Sequence, residues 1–394
     1  MRPTGRLHLG HYHGVLTNWL KLQEQHDSYF FVADWHALTT HYNAPQTLAP
    51  HVWEMVIDWL AAGVDPEKAT LFVQSAVPAH AELHLLLSMV TPLSWLERVP
   101  SFKDQQAKLK DKDLSTYGFL GYPLLQSADI LMYRAQSVPV GEDQVPHVEL
   151  TREVARRFNH IFGNGEGVEL QINEALTKMG KKAAKSFKRM RKDYLEKGNE
   201  LARGGALQLL EAQQNISALE RELLEGNIEG KGRIILPEPK SLLTKASKMP
   251  GLDGQKMSKS YGNTIALRDD PKRVEKALRS MPTDPARVRR DDPGTPEKCP
   301  VWDLHQVYTD AKTHEWIQLE CPRAGIGCVD CKQPLIDAVL AEQAVIRERA
   351  EPYENNPALL KSVMARGNAQ AQEVANETLK VVREAVGTVY NYDL

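Results

Sequence analysis

Ser28-Tyr29-Phe30-Phe31-Val32-Ala33 is an aromatic, β-branched run of strand length that ends at Asp34, and Thr70-Leu71-Phe72-Val73-Gln74 is a second. Between them, residues 52–62 carry apolar side chains at helical spacing and close on Gly63, and residues 12–22 before them do the same through Val15, Leu16, Trp19, Leu20 and Leu22. Strands that alternate with helices predict a parallel sheet covered on both faces, an α/β doubly wound, Rossmann-like fold. A further strand is expected at residues 137–140, running into Gly141-Glu142-Asp143-Gln144 and a helix over residues 146–158. The pattern then breaks. Residues 174–201 place Leu176, Met179, Ala183, Phe187, Met190, Tyr194 and Leu201 on one seam, and a second helical run carries Leu209 to Leu224, so an inserted antiparallel helical hairpin is predicted over 167–232. Strand character returns at residues 234–236, and an all-α domain is expected beyond 263. The expected organisation is therefore a catalytic domain in two parts, 1–166 and 233–263, the insertion at 167–232, and a helical C-terminal domain at 264–394.

Composition narrows the class. The 394 residues are 42% hydrophobic and 25% charged, and 49 basic residues face 51 acidic ones for a net charge of −2. Disorder and a secreted disulfide scaffold are unlikely readings of such a chain, and any affinity for nucleic acid has to come from a local basic face. No apolar stretch is long enough to span a bilayer, no secretory segment opens the chain, and the cytoplasm is the expected compartment. One local basic face is visible on the insertion, through Lys178, Lys181, Lys182, Lys185, Lys188, Arg189, Arg191 and Lys192. It reads either as a solvated surface or as an RNA contact.

Two stretches carry phosphate chemistry. Residues 4–11 read Thr-Gly-Arg-Leu-His-Leu-Gly-His and lead straight into a helix, so two imidazoles, a glycine and a helix N-terminus meet where polyphosphate can be held. Lys256-Met257-Ser258-Lys259-Ser260 follows a glycine-rich turn at 250–254, and its two ammonium groups and two hydroxyls suit a leaving pyrophosphate. Five fixed positions of this kind recur by chance about once in a few million windows.

In that order on an α/β chain, the two stretches resemble the signatures of class I aminoacyl-tRNA synthetases. The tryptophanyl-tRNA synthetase family is the nearest fit, through residues 1–5 (MRPTG), 33–39 (ADWHALT), 122–131 (YPLLQSADIL) and 139–144 (PVGEDQ). The resemblance implies ATP- and magnesium-dependent joining of L-tryptophan to AMP, release of pyrophosphate, and transfer to tRNA(Trp). It implies that His8 and His11 face the phosphates, that Gly10 leaves room for the adenosine, and that Lys256, Met257, Ser258, Lys259 and Ser260 close over the β- and γ-phosphates. Arg2, Pro3 and Thr4 would flank ATP, with Gly141, Glu142, Asp143 and Gln144 at its ribose. Tyr122, Gln126 and Asp129 would line the amino-acid pocket. Indole has one N–H donor and no acceptor, so a buried carboxylate at Asp129 complements it; a helix cap is the structural alternative for that residue. Arg2 and Gln126 stand where many relatives carry glutamine and methionine. The family works as a homodimer, which the resemblance extends to this chain. A catalytically silent relative that binds RNA or senses redox state, and a small-molecule nucleotidyltransferase, are the competing readings.

Two expectations concern the ends of the chain. A strand normally leads into the His8 turn, yet only Met1 to Leu7 precede it, so either the start codon lies upstream of Met1, the favoured expectation, or a central strand is missing. Cys299, Cys321, Cys328 and Cys331 form a C-x21-C-x6-C-x2-C run. In a reducing compartment four clustered thiols read as a metal site, and the run resembles the [4Fe-4S] motif of a subset of bacterial tryptophanyl-tRNA synthetases; Zn2+ is the alternative.

Overall fold

The computed structural model describes residues 1–99, 116–163, 167–230, 232–243 and 249–390. The chain divides into two compact units, one of Met1–Ala76 with Thr244–Ala371, the other of Val77–Leu243 with Gln372–Leu394. In the first unit, β1 (Ser28–Val32) and β2 (Ala69–Val73) pair in parallel, with Ser28 opposite Ala69 and Val32 opposite Val73. The crossover between them is the helix Leu48–Ala62, as a parallel pair requires. Its end is set by Gly63 at φ +109°. There the Gly63 and Val64 amides bond back to the Leu60 and Trp59 carbonyls, a turn that only glycine enters without strain. The start of the chain runs along β1: the Met1 ammonium donates to the Phe31 carbonyl at 2.7 Å, and Ala33 N–H donates to the Met1 carbonyl at 2.8 Å. That contact lies where a strand is expected to lead into the His8 turn.

One apolar core fills this unit. Leu7, Leu9, Phe30, Val32, Met55 and Trp59 meet Met249, Met257, Ile265, Leu267, Leu335 and Ile346 in it, so both phosphate-type stretches are anchored in the same packing. Beneath them lies a buried ion pair. Asp58 accepts from Leu7 N–H at 2.6 Å and from Arg268 Nε at 2.7 Å, while Arg268 also reaches Glu54 at 2.6 Å and bonds Glu354. Removing one partner strands the other charge in the core. Arg268→Ala is therefore expected to lower stability by about 3 kcal/mol, read from the urea midpoint at unchanged denaturant slope; an unshifted midpoint would show that water relaxes into the site.

In the second unit, β3 (Ser137–Val140) pairs in parallel with β4 (Lys240–Leu243). The structure thus holds two parallel pairs, one per unit, among the described residues. Residues 234–236 do not form the expected strand. Asn159, inside the helix Val145–Phe162, satisfies their backbone instead: its Oδ1 accepts from Ile235 and Leu236 N–H at 2.9 Å, and its Nδ2 donates to the Leu236 carbonyl at 2.7 Å. A side chain has replaced a ladder, which no hydrophobic pattern announces.

The insertion is also more broken than the predicted hairpin. It forms four helices, Val168–Lys178, Lys181–Lys197, Glu200–Glu211 and Ala218–Ile228. Gly180 at φ +82° and Gly198 at φ +65° make the first two breaks, whereas Gly204-Gly205 lie inside the third helix. The four bury a core of their own around Leu176, Phe187, Ala206, Leu210, Leu224 and Ile228. From 264 onward the described elements are all helical, the longest being Cys328–Asn355 and Pro357–Ala385. Among the described residues no helix is long and apolar enough to cross a membrane.

Candidate active site

Residues 7–9 are held as an extended edge against residues 265–267: Leu9 N–H donates to the Ile265 carbonyl at 3.0 Å and Leu267 N–H to the Leu7 carbonyl at 2.9 Å. His8 ends this edge and caps the short helical turn Leu9–His11, its own N–H donating to His11 Nδ1 at 3.2 Å. The two imidazole rings pack together at a tilt of 40°, with centroids 3.7 Å apart. Gly10 is needed for that packing, since a Cβ there would stand 3.0 Å from the His8 ring. A π turn over Tyr12–Leu16 follows before the helix Thr17–Leu22.

The second stretch forms a turn in the same unit. Met257 N–H donates to the Met249 carbonyl at 3.0 Å, and the Met257 side chain is buried, so this residue anchors the loop through the core. Asn263 clamps the turn. Its Oδ1 accepts from Ser258 N–H at 2.8 Å, and its Nδ2 donates to Asp253 at 2.6 Å and to the Lys256 carbonyl at 3.2 Å. Gly251 makes room for it, because a Cβ at that position would fall 2.3 Å from Asn263 Nδ2. Lys259 leans onto the opening turn and donates to the Gly5 carbonyl at 2.9 Å, the Thr4 carbonyl at 3.1 Å and Thr4 Oγ1 at 3.4 Å. Lys256 is exposed. The structure thus gathers His8, His11, Thr4, Gly5 and Lys259, and leaves Lys256 on the surface of the same loop. Arg2 is exposed and Pro3 buried at the start of the turn.

Burial decides the charge states here. Desolvation, then the neighbouring Lys259 ammonium, lowers His8 to about 4. Desolvation, then His8 and Lys259, lowers His11 to about 3. Both rings are neutral N–H donors near pH 7. Desolvation also lowers Lys259, which donates to two carbonyls and a hydroxyl. A half-buried ammonium that rests on neutral oxygens is placed to gain from an arriving anion. The histidines also predict an acid response. Their folded values lie below the ordinary 6.5, so the unfolded chain binds more protons and stability falls as the pH drops from 6.5 toward 4 and 3. His11→Asn is expected to flatten the dependence of Tm on pH within that window; an unchanged slope would place the protons elsewhere.

The amino-acid-pocket residues and the 141–144 turn belong to the second unit. Tyr122, Gln126 and Asp129 lie at i, i+4 and i+7 of the helix Tyr117–Met132 and so share one face. Asp129 is inside the helix and buried, which removes the helix-cap reading. His80, fully buried on the helix Ala79–Ser88, bonds Asp129 Oδ1 through Nδ1 at 2.6 Å and the Tyr133 hydroxyl through Nε2 at 2.7 Å. Tyr122 stands 5.8 Å, ring to ring, from both Phe119 and His147. Gly141 precedes a tight turn over Glu142–Gln144, and a Cβ on it would meet Asp143 at 2.9 Å. His80, Asn263, Asp58 and Arg268 were not anticipated from the sequence. Asn263 sits three residues past Ser260, but nothing in a linear pattern says that its side chain closes the turn.

The four cysteines are free thiols of the first unit, and three of them, Cys299, Cys321 and Cys331, pack on Trp302, Ile317 and Ile326. Each of the three feels Cys328 electrostatically, and burial raises all three, Cys331 to about 12. The Arg287 guanidinium lies 3.7 Å from Cys321 Sγ, and His305 Nε2 3.7 Å from Cys331 Sγ. Among the described residues, no three His, Cys, Asp or Glu side chains are arranged to hold a single metal ion. The donor chemistry, four neighbouring thiols, still fits a thiolate-ligated centre, since metal binding itself draws the protons off such ligands.

Similarity to known proteins identifies the family. The family description for class I tRNA synthetases (W and Y) matches residues 1–195 and 212–342. The chain is similar to the tryptophan–tRNA ligase of Ralstonia nicotianae, 62% identical over 391 residues that cover 99% of this chain and 98% of that one. It is also similar to the enzyme of the same name from Thermotoga maritima, 41% identical over 99% and 98% of the two chains. Among solved structures it resembles the tryptophanyl-tRNA synthetase of Campylobacter jejuni complexed with ADP and tryptophan, with a TM-score of 0.73 at 26% identity and 98% coverage of both chains. With the two phosphate-type turns in one core and this similarity running from end to end, the chain belongs to the class I tRNA synthetases of the W and Y family.

Proposed function

We infer that the chain is a tryptophan–tRNA ligase: it activates L-tryptophan with ATP and passes the aminoacyl group to tRNA(Trp). The observation that carries the chemistry is the Lys259 ammonium resting on neutral oxygens beside two neutral imidazoles. In the first step the tryptophan carboxylate attacks the α-phosphorus, the bond from that phosphorus to the bridging oxygen breaks, and pyrophosphate leaves with the electron pair. No protein nucleophile is needed, so the side chains position the reactants and stabilise charge. His8 and His11 donate N–H to phosphate oxygens without titrating near pH 7. Lys259 exchanges its carbonyl partners for the β- and γ-phosphates, with Lys256 and the Ser258 and Ser260 hydroxyls on the same loop. Magnesium arrives with the ATP phosphates, as it commonly does, and asks for no protein cage. Thr4 with Arg2 and Pro3 flanks the nucleotide, and Gly141, Glu142, Asp143 and Gln144 take its ribose. Asp129 accepts the indole N–H, with Tyr122 and Gln126 beside it. In the second step a hydroxyl of the 3'-terminal ribose attacks the aminoacyl carbonyl and AMP leaves.

The test is exchange of labelled pyrophosphate into ATP. Exchange that depends on tryptophan is expected; exchange that tyrosine supports equally, or no exchange, overturns the assignment. Absence of exchange is also what the silent RNA-binding reading requires.

The finer assignments follow from the same resemblance. Cys299, Cys321, Cys328 and Cys331 hold a [4Fe-4S] cluster, which stabilises the helical region and takes no part in adenylation. Anaerobically purified protein is expected to be brown and to bleach on reduction, whereas a colourless protein with one zinc per chain decides for Zn2+. The active form is a homodimer working in the cytoplasm, and light scattering at micromolar concentration reads its mass.

A further inference from the structure

The helix Lys181–Lys197 breaks the rules its neighbours obey. Residues 181–192 read KKAAKSFKRMRK, seven cations and no acid in twelve positions, within a chain whose net charge is −2. The helix starts on Gly180 with no side-chain cap and no acid in its first turn, and Lys181 and Lys182 stand at the positive end of its dipole. The next two helices are built conventionally. Asn199 caps one, with Glu200 in its first turn, and Ser217 and Glu220 form a capping box on the other. Like charges at Lys181 and Lys185, and at Lys185 and Lys188, also face each other across single turns. Local stability is therefore reduced by the placement of these charges, which points to a use for them outside the helix.

Geometry shows the use. At about 100° per residue, Lys181, Lys182, Lys185, Lys188, Arg189 and Lys192 all fall within an arc of about 120°, and all six are exposed. Phe187, which is fully buried, and the half-buried Ala183, Met190 and Tyr194 occupy the opposite arc and pack into the insertion's own core. The cations that leave the stripe are otherwise engaged: Lys178 pairs with Glu220, Arg191 donates to the Asn227 carbonyl, and Lys197 pairs with Asp193. Of the six on the stripe, only Lys192 makes an ion pair among the described residues, with Glu196 at 3.8 Å, and Arg189 also interacts electrostatically with Asp193 one turn on. The stripe is about 16 Å long at 1.5 Å per residue. It carries no aromatic residue on which an unstacked base could lie, so its chemistry suits the outside of a duplex and not a single strand.

We propose that these six side chains form a docking face for the sugar-phosphate backbone of duplex RNA, supplied by the stem regions of the tRNA substrate. This rests on the ligase reading above. Contacts of this kind hold and orient the RNA without reading its sequence.

The test compares the full-length protein with its K181Q/K185Q/K188Q/R189Q variant. Glutamine has nearly the helix propensity of lysine, and removing like charges from the first turns is expected to leave Tm equal or higher. Tryptophan-dependent pyrophosphate exchange, which involves no RNA, is expected to be unchanged. The KM for tRNA in aminoacylation is expected to rise about tenfold or more, and the slope of log kcat/KM against log salt to flatten by about 3.6, about 0.9 for each of the four lost phosphate contacts. A K185E/K188E variant should raise the KM further while sparing exchange, which separates lost attraction from lost folding. Wild-type protein without exchange would defeat the ligase reading. Wild-type exchange and charging with an unaltered KM and salt slope in both variants would overturn the docking face, and so would loss of binding to anionic phospholipid vesicles with unchanged tRNA kinetics.

Discussion

Asp129→Ala is expected to reduce the preference for tryptophan over phenylalanine in activation by up to about ten-thousand-fold, the range that a site built around one substrate hydrogen bond can reach. The carboxylate is buried inside the helix Tyr117–Met132, and the His80 ring, bonded to Oδ1 on one side and to the Tyr133 hydroxyl on the other, fixes its orientation. An indole N–H pairs with such an acceptor. A phenyl ring has no donor and offers the buried carboxylate nothing in place of the indole N–H, which disfavours it more than the difference in size. Removing the carboxylate removes both the attraction and the penalty, so tryptophan loses affinity while phenylalanine loses little. Asp129→Asn keeps an oxygen acceptor and should restore part of the preference. The measurement is kcat/KM for both amino acids in pyrophosphate exchange, with Tm as the control for folding. A ratio unchanged in Asp129→Ala would move the determinant to another residue.

Lys259→Ala should slow tryptophan activation by about 10²- to 10³-fold, the cost of one transition-state charge contact, at little change in tryptophan affinity. The ammonium lies half-buried between the two signature turns, where desolvation magnifies any new contact with phosphate. Its present partners are neutral, so the gain appears when charge builds on the departing pyrophosphate. Single-turnover formation of the adenylate, set against tryptophan binding by fluorescence, separates the two effects. A Lys259→Ala protein that activates at the normal rate would exclude the contact, and equal losses in rate and tryptophan affinity would indicate a general collapse of the site.

Local order carried a large part of this reading. The strands at 28–32, 69–73 and 137–140 and the helix ending at Gly63 stand where alternation and capping place them, because burial on a covered parallel sheet leaves a continuous apolar run in the chain itself. Where the pattern misled, a single side chain or backbone angle had intervened. Asn159 satisfied the backbone at 234–236 and no strand was needed; Gly180 and Gly198 adopted positive φ, and one seam was divided among three helices.

The chain's order of residues alone determined the family chemistry, since phosphate-binding turns depend on contiguous groups: His8, Gly10 and His11 in one, Lys256 to Ser260 in the other. Only the tertiary structure decided which of those groups meet. It brought Lys259 onto Thr4 and Gly5 while leaving Lys256 on the surface, neutralised His8 and His11 by burial, turned Asn263 into the clamp of the second turn, set His80 against Asp129, and placed the Asp58–Arg268 pair beneath Leu7. Each of these depends on desolvation or on contacts between residues far apart in the chain, and neither quantity exists until the core has closed.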